Sequence, residues 1–166
     1  MADRGMKKPS SATSCKVFFN VCNLYLNFSY IREIVKPNLN NMENLIIEST
    51  NGTPAVLFLT EKGILKFAGK SLPEDAVGFY QKVEIALNDY IVNNECDLLH
   101  ITCEFEYINT SSSKALFNIL KKAIERVDNV SIVWGYEEED EDMLEQGEDF
   151  ADALGVEFEF KIFICW

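Results

Sequence analysis

Five polar residues stand in a row at positions 109–113, with the sequence Asn-Thr-Ser-Ser-Ser, and Lys114 follows them. The run lies between a strand pattern and a helical pattern, where a helix needs one Asn, Thr or Ser to cap its first turn. One cap accounts for only one of these side chains. A hydroxyl at the start of a helix is also a favourable place for a phosphate, because free backbone N–H groups and the helix dipole stabilise the added charge. The run therefore predicts a helix cap, with a phosphorylation site as the sharper alternative.

A run of six acidic residues, Glu-Glu-Glu-Asp-Glu-Asp at positions 137–142, is the second feature that could bind something. Most such runs are solvated surface, and this one also suits the electrostatics of the helix that follows it. A calcium loop fits poorly, because Met143 interrupts the ligands and no glycine stands at the sharp turn. A docking surface for a basic partner is the third interpretation, with Asp140, Glu141 and Asp142 as its candidates.

Sequence signals of catalysis are absent. The chain has no glycine-rich nucleotide motif, no zinc-protease motif and no nucleophile elbow. Its five cysteines form no CxxC pair, which argues against a zinc site or a disulfide framework and favours buried free thiols in a reducing cytosol. The single histidine, His100, lies in a strand pattern, where a packing or surface role is expected. We therefore expect no enzyme, no catalytic residue, no metal ion and no cofactor.

Composition limits the possible partners. The chain has 166 residues, enough for one domain, and it carries 15 Lys and Arg against 27 Asp and Glu, a net charge of −12. An acidic chain without a basic patch binds nucleic acid and anionic membranes poorly. No apolar stretch reaches the roughly 18 residues that a membrane span requires. We expect a cytoplasmic protein with no nucleic-acid partner and no stable membrane insertion.

Residues 1–41 do not match the rest of the chain. They carry six Lys and Arg against two Asp and Glu, a net charge of +4, whereas residues 42–166 carry nine against 25, a net charge of −16. The apolar stretch 17–31 faintly imitates a signal peptide, but three asparagines interrupt it and no cleavage site is clear. We expect residues 1–41 to be a disordered or non-native upstream extension, with a membrane-associating tail as the rival. A domain over 42–166 then begins naturally at Met42.

From residue 42 onward the periodicity is clear. Two apolar runs joined by a glycine-containing turn predict a β-hairpin, and helical and strand patterns alternate after it. Ser71, Pro73 and Glu74 predict a capping box ahead of the first helix. The elements are predicted in this order: a hairpin of 54–59 and 63–67, a helix over 76–91, a strand over 99–107, a helix over 116–127, a strand over 130–136, a helix over 143–154 and a strand over 156–164.

The three strands after the hairpin are each preceded by a helix, so they should lie parallel, joined by right-handed crossovers. Two of them alternate apolar with charged residues, at Glu104 and Glu106 and again at Glu157, Glu159 and Lys161. A parallel sheet covered on both faces would read as continuous apolar runs. We therefore predict an α/β fold with a mixed sheet, made of an N-terminal hairpin plus three parallel strands, with helices mainly on one face.

Two functions other than a phosphate switch remain open at this stage. Glu104 and Glu106 precede Thr110 and Ser111, and carboxylates beside hydroxyls could hold a metal ion or a polar ligand in a sensor domain. A dimeric scaffold is also possible, because the uncovered face of the predicted sheet is available to a second copy.

A series of short motifs, taken in order, resembles those of one family. They are Glu48-Ser49-Thr50 with Thr53-Pro54, Ser71-Leu72-Pro73-Glu74 with Phe79-Tyr80, Tyr107-Ile108-Asn109-Thr110-Ser111-Ser112-Ser113-Lys114, Trp134-Gly135-Tyr136, Asp140-Glu141-Asp142-Met143-Leu144-Glu145, and Gly147-Glu148-Asp149-Phe150. Over about residues 42–164 the chain is similar to the SiaC family of bacterial regulatory phosphoproteins. The combination in this order is far more specific than any single motif.

The resemblance implies a fold similar to STAS domains, the fold of anti-sigma-factor antagonists. It also implies a non-enzymatic signalling protein in which a Ser/Thr kinase phosphorylates Thr110 and a PP2C-type phosphatase removes the phosphate. The unphosphorylated form is then expected to bind and activate an effector, a diguanylate cyclase, which raises cyclic di-GMP and favours biofilm formation. The rest of the run supplies motif residues and candidate partner contacts: Asn109, Ser111, Ser112, Ser113 and Lys114.

Overall fold

The computed structural model describes residues 43–93 and 98–163, and the predicted extension over 1–41 lies outside these ranges. The chain separates into two units, Met1–Ile34 and Val35–Trp166, and the structure described below belongs to the second. Among the described helices, none has the length and the apolar character that crossing a membrane requires.

Within the described ranges, strands and helices alternate after an initial antiparallel segment, and a single 3-10 turn at Thr60–Lys62 joins the two strands of the hairpin. The strands are β1 Leu45–Ile47, β2 Ala55–Leu59, β3 Ile64–Ser71, β4 Leu98–Ile108, β5 Asn129–Tyr136 and β6 Glu159–Ile162, and the helices are α1 Ala76–Asn93, α2 Thr110–Arg126 and α3 Glu141–Leu154.

The sheet has the strand order β1-β2-β3-β4-β5-β6. The pairs β1–β2 and β2–β3 are antiparallel, and every later neighbouring pair is parallel. This confirms the predicted hairpin followed by three parallel strands. The three residues of β1 were not predicted, because so short an apolar segment has no readable periodicity. The likeness to STAS domains remains a prediction.

The core lies between one face of the sheet and the three helices. On β4, the alternate residues Leu99, Ile101, Cys103 and Phe105 are no more than 1% exposed and belong to one apolar cluster with residues of all three helices. The opposite face of the sheet is polar at its centre, where Lys66 Nζ lies 2.6 Å from Glu104 Oε2. The prediction of helices mainly on one face is therefore confirmed for the described residues, and the alternation along β4 was the informative signal.

The start of α1 differs from the prediction. Ser71 is the last residue of β3 and is fully buried, so it does not cap the helix. The cap is Asp75, whose carboxylate accepts a hydrogen bond from the Gly78 N–H at 2.9 Å. The capping box predicted for Ser71 and Glu74 is wrong, because β3 continues four residues beyond the apolar run that was taken as the strand.

Trp134 on β5 and Gly147 in the middle of α3 make a close contact between the sheet and this helix. The indole is fully buried, and its Nε1–H donates a hydrogen bond to the Met143 carbonyl oxygen at 2.9 Å. A Cβ atom on Gly147 would lie 2.5 Å from Cδ1 of the Trp134 ring. The helix can approach the sheet this closely only because residue 147 has no side chain.

Candidate functional site

Three of the motifs that are scattered along the sequence meet at one edge of the sheet. Parallel strands end at the same edge, so Ser71 at the end of β3 and Asn109 after β4 become neighbours. The Asn109 N–H donates to the Ser71 carbonyl oxygen at 2.9 Å. On the far side of Ser71, the Leu72 N–H donates to the Gly52 carbonyl oxygen at 2.9 Å, which joins the turn after β1 to the same edge. We call this end of the molecule the carboxyl edge.

Asn109 is the N-cap of α2. Its backbone is extended, and its Oδ1 atom accepts a hydrogen bond from the Ser112 N–H at 2.8 Å. The capping interpretation of the polar run is therefore correct for one of its five residues. Thr110, the first residue of the helix, is not needed for the cap.

Burial separates the four hydroxyls of the run. Thr110 and Ser111 are exposed, Ser112 is fully buried, and Ser113 is partly buried. The Ser113 Oγ accepts a hydrogen bond from Gln146 Nε2 on α3 at 3.3 Å. A modifying enzyme can reach Thr110 and Ser111 in this fold, whereas Ser112 cannot meet a partner at the surface.

A group of buried hydroxyls lies on the interior side of the first turn of α2. The Ser71 Oγ lies 2.8 Å from the Tyr80 phenol oxygen, and both side chains are at most 2% exposed. The Ser112 hydroxyl is fully buried and lies close to the Tyr80 phenol. Ser71 and Tyr80, which belong to one of the family motifs, thus support the segment that carries Thr110.

Two buried groups predict a loss of stability at alkaline pH. Burial raises the pKa of the Cys103 thiol above its ordinary 9.0 and the pKa of the Tyr80 phenol above its ordinary 10.0. Above pH 9 the folded protein keeps protons that the unfolded chain releases. The contribution of these two groups to the free energy of unfolding is therefore fully present below pH 9 and is lost as the pH rises. The expected slope is up to about 1.4 kcal/mol per pH unit for each group.

Urea denaturation measured at intervals from about pH 8 to about pH 11 tests this expectation. The Cys103→Ala variant is the control, because removing the thiol should delay the decline until the pH passes 10, where Tyr80 begins to contribute. A free energy of unfolding that stays constant to pH 11 in both proteins would contradict the assignment.

Beside Thr110 an apolar groove runs between α2 and α3. Its floor is aromatic, with the rings of Phe117 and Phe150 at a centroid distance of 6.0 Å. It is shallow and open to solvent, with a volume of about 440 Å³, and it is lined by five residues of α2 and one of α3: Thr110, Ser113, Lys114, Phe117, Asn118 and Phe150. We call it the α2–α3 groove. Neither aromatic residue was predicted to be a site residue, although Phe150 ends one of the family motifs, since each occupies an ordinary apolar position of a helix.

The acidic run begins α3 and has more than one role. Asp140 is the N-cap, and its carboxylate accepts a hydrogen bond from the Met143 N–H at 2.9 Å. Glu141 and Asp142 are exposed in the first helical turn, where their charge suits the helix dipole. They remain available for docking, whereas the Asp140 carboxylate is already engaged by the helix. The helix continues with further exposed acidic residues: Glu145, Glu148, Asp149 and Asp152.

The residues of the alternative sensor site are not assembled. Glu104 and Glu106 lie on the sheet face opposite to the helices, where Lys66 and Lys70 pair with them, the second pair at 3.6 Å. Thr110 belongs to α2, which packs on the other face. Within residues 43–93 and 98–163, no group of His, Cys, Asp and Glu side chains is arranged to hold a metal ion.

The chain is similar to known proteins over the region that carries this site. A family model described as SiaC family regulatory phosphoprotein matches residues 47–163. An uncharacterized protein of Pseudomonas aeruginosa strain UCBPP-PA14 is 28% identical to the chain over 120 residues, which are 70% of this chain and 94% of that protein.

Solved structures give the same result. The crystal structure of apo-SiaC from Pseudomonas aeruginosa is similar to this one with a TM-score of 0.63 and 27% identity, over 74% of this chain and 100% of the other. A chain in the crystal structure of the diguanylate cyclase SiaD in complex with its activator SiaC, from the same species, matches with a TM-score of 0.62 and 29% identity. That match covers 71% of this chain and 97% of the other.

The family match spans well over half of the chain, from the last residue of β1 to the end of β6. It includes every element that meets at the carboxyl edge, together with both walls of the α2–α3 groove. The chain belongs to the SiaC family of regulatory phosphoproteins.

Proposed function

We propose that this protein is a non-enzymatic partner switch controlled by a phosphate on Thr110. A Ser/Thr kinase adds the phosphate, a PP2C-type phosphatase removes it, and the unphosphorylated form binds and activates a diguanylate cyclase. The observation that carries this proposal is the exposed Thr110 side chain, which lies at the start of α2 and lines the apolar α2–α3 groove. The complex of a diguanylate cyclase with its activator SiaC supports the choice of effector.

Burial and position favour Thr110 over the other hydroxyls of the run. Ser112 is buried, and Ser113 is held by Gln146. Ser111 is also exposed, but it does not line the groove. A phosphate on Thr110 would therefore alter the apolar surface directly, whereas one on Ser111 would lie beside it.

The phosphate would act through the cost of removing water from it. It adds about −1.5 to −2 charges at neutral pH. An effector that covers Thr110 must desolvate this charge, which costs several kcal/mol without a well-placed partner. Lys114, one helical turn further along α2, is exposed, and an ion pair there contributes only about 0–1 kcal/mol. Desolvation is the larger effect, so the phosphate opposes binding.

We further propose that residues 42–166 carry the whole switch and that residues 1–41 are a separate preceding segment. The family match over residues 47–163 supports this division. It also agrees with the change in net charge from +4 before residue 42 to −16 after it.

Mass spectrometry of the protein purified from its own cells tests the phosphorylation. We expect a fraction with one added phosphate, mapped to Thr110 by peptide sequencing and lost after treatment with a PP2C-type phosphatase. The Thr110→Val variant is the control, since it keeps the branched shape and removes the hydroxyl, and it should carry no phosphate. A phosphate on Ser111 would move the site, and no phosphate under several growth conditions would refute the switch.

A further inference from the structure

The outer face of α1, which is the side turned away from the sheet, carries exposed aliphatic side chains. Val77 and Val92 are 78% exposed, and Ile85 is 55% exposed. We propose that this face binds a second copy of the chain, with the two α1 helices packed side by side and antiparallel. The inference concerns self-association, so it depends neither on the effector nor on a phosphate at Thr110.

The exposed residues of α1 repeat with the spacing of a seam between paired helices. Gln81, Ile85, Asn88 and Val92 follow one another at intervals of four, three and four positions, as at positions d, a, d and a of a heptad. All four are exposed, whereas the apolar residues that α1 gives to the core lie on its other side. We call these four residues the α1 seam. Its two amide side chains lower the stability of a pair of helices, so the association is expected to be weak and reversible.

The charges beside the α1 seam favour an antiparallel pair. Lys82 and Asp89 are exposed and stand on one flank, each directly after a d residue, which is position e of the heptad. In an antiparallel pair the e positions of the two helices face each other, so Lys82 of each copy meets Asp89 of the other. Two-fold symmetry forms this contact twice. In a parallel pair, Glu84 at position g would face Asp89 of the other copy, and two carboxylates would repel.

The electrostatic balance of this face favours a second copy as its occupant. The helix carries one lysine and two acidic residues, and one of the acidic residues, Glu84, forms an ion pair with Lys122 of α2. The outer face of α1 is therefore nearly neutral, although residues 42–166 carry a net charge of −16. Two copies can meet here without bringing like charges together, whereas two copies of α3, with six acidic residues and no basic one, would repel each other.

The α1 seam lies apart from the surface around Thr110. In chain order α1 connects β3 to β4, α2 connects β4 to β5 and α3 connects β5 to β6, so α2 lies between the other two helices on the sheet. No residue of α1 lines the α2–α3 groove. Pairing through α1 would thus leave Thr110 exposed on both copies. If the proposed function holds, one dimer presents two switch surfaces to its effector.

Sedimentation velocity of the full chain over a range of concentrations tests the self-association. From about 5 to about 500 µM, we expect the mass to rise from that of one chain, 18.9 kDa, towards twice this value. Ile85→Asp places a carboxylate in the seam and should raise the dissociation constant of the dimer about tenfold or more. Ile162→Asp on β6 is the matched control, because Ile162 is also 55% exposed, and it should dimerise within about twofold of wild type.

Exchange of the flanking charges tests the orientation. Lys82→Asp and Asp89→Lys each bring like charges together at both ends of the seam, so each should weaken the dimer about tenfold. The double variant restores both pairs with the charges reversed, and it should dimerise within about threefold of wild type. Lys62→Asp is the control, since it makes the same change in net charge at an exposed site outside α1 and should have little effect.

The results that would overturn this inference are specific. A chain that remains monomeric at the highest concentration excludes the dimer, and a dimer that Ile85→Asp leaves intact excludes the α1 seam. Disruption by Ile162→Asp instead would place the interface on the sheet. If the double charge variant dimerises as weakly as the two single variants, the helices do not pair antiparallel. The phosphate switch is tested separately, by the mass spectrometry of Thr110.

Discussion

Phosphorylated at Thr110, the protein is expected to bind the proposed effector, a diguanylate cyclase, about 100-fold more weakly than the bare form, a free-energy difference of about 2.7 kcal/mol. The reason is the position of Thr110 on an apolar groove, where a covering partner would have to desolvate the phosphate. Isothermal titration calorimetry with the two forms, separated after kinase treatment, gives this ratio directly.

Substitutions at the same position complete the test. Thr110→Ala should bind like the bare protein, with little loss of stability, because Asn109 and not Thr110 caps the helix. Thr110→Asp should weaken binding only in part, since it carries one charge where the phosphate carries nearly two. Ser111→Ala is the control and should leave the ratio unchanged. Equal affinity of the bare and phosphorylated forms would refute the switch.

The substitution Gly147→Ala is expected to lower the free energy of unfolding by about 2 kcal/mol, although alanine is the better helix former by about 1 kcal/mol. The added methyl group would lie 2.5 Å from the Trp134 ring, well inside van der Waals contact. The indole cannot move aside easily, because it is fully buried and its Nε1–H is bonded to the Met143 carbonyl oxygen. Chemical denaturation of the variant measures the change.

Ala153→Gly is the matched control for this prediction. Residue 153 lies in the same helix but is exposed, so the exchange changes helix propensity without changing a contact with the sheet. We expect it to cost about 1 kcal/mol. If propensity governed both positions, Gly147→Ala would stabilise the protein by a similar amount. A stabilised Gly147→Ala variant would therefore show that α3 can retreat from the sheet at little cost.

The order of elements was predictable because the helices and strands are amphipathic. Along β4 and β5 alternate residues face the helices, and along α2 the apolar residues recur at the helical period. The far end of β3 was not predictable in the same way. Gly69 and Lys70 break the apolar pattern there, although the strand continues to Ser71 at the edge. The resulting error misplaced the cap of α1 from Asp75 to Ser71.

The candidate site was predictable in its residue types but not in its surface. The polar run and the family resemblance indicate Thr110, whereas the direction of each hydroxyl depends on the turn of the helix. Ser112 follows Thr110 by two residues, about 200° around the axis, and is therefore buried. The groove brings together Phe117 and Phe150, which stand 33 positions apart in the chain. No local pattern could indicate that their rings would meet beside Thr110.

The buried hydroxyls under the carboxyl edge determine how a phosphate on Thr110 could affect a partner. The backbone of Ser71 holds Asn109 while its side chain meets Tyr80, so the first turn of α2 is fixed from the inside, and Thr110 projects from its outer surface. A phosphate on that outer surface needs no rearrangement of the interior. The two forms would then be isostructural, and no free energy would be lost in moving between conformations. The phosphate would then change the contact surface and not the conformation, and a partner would distinguish the two forms by direct contact with residue 110.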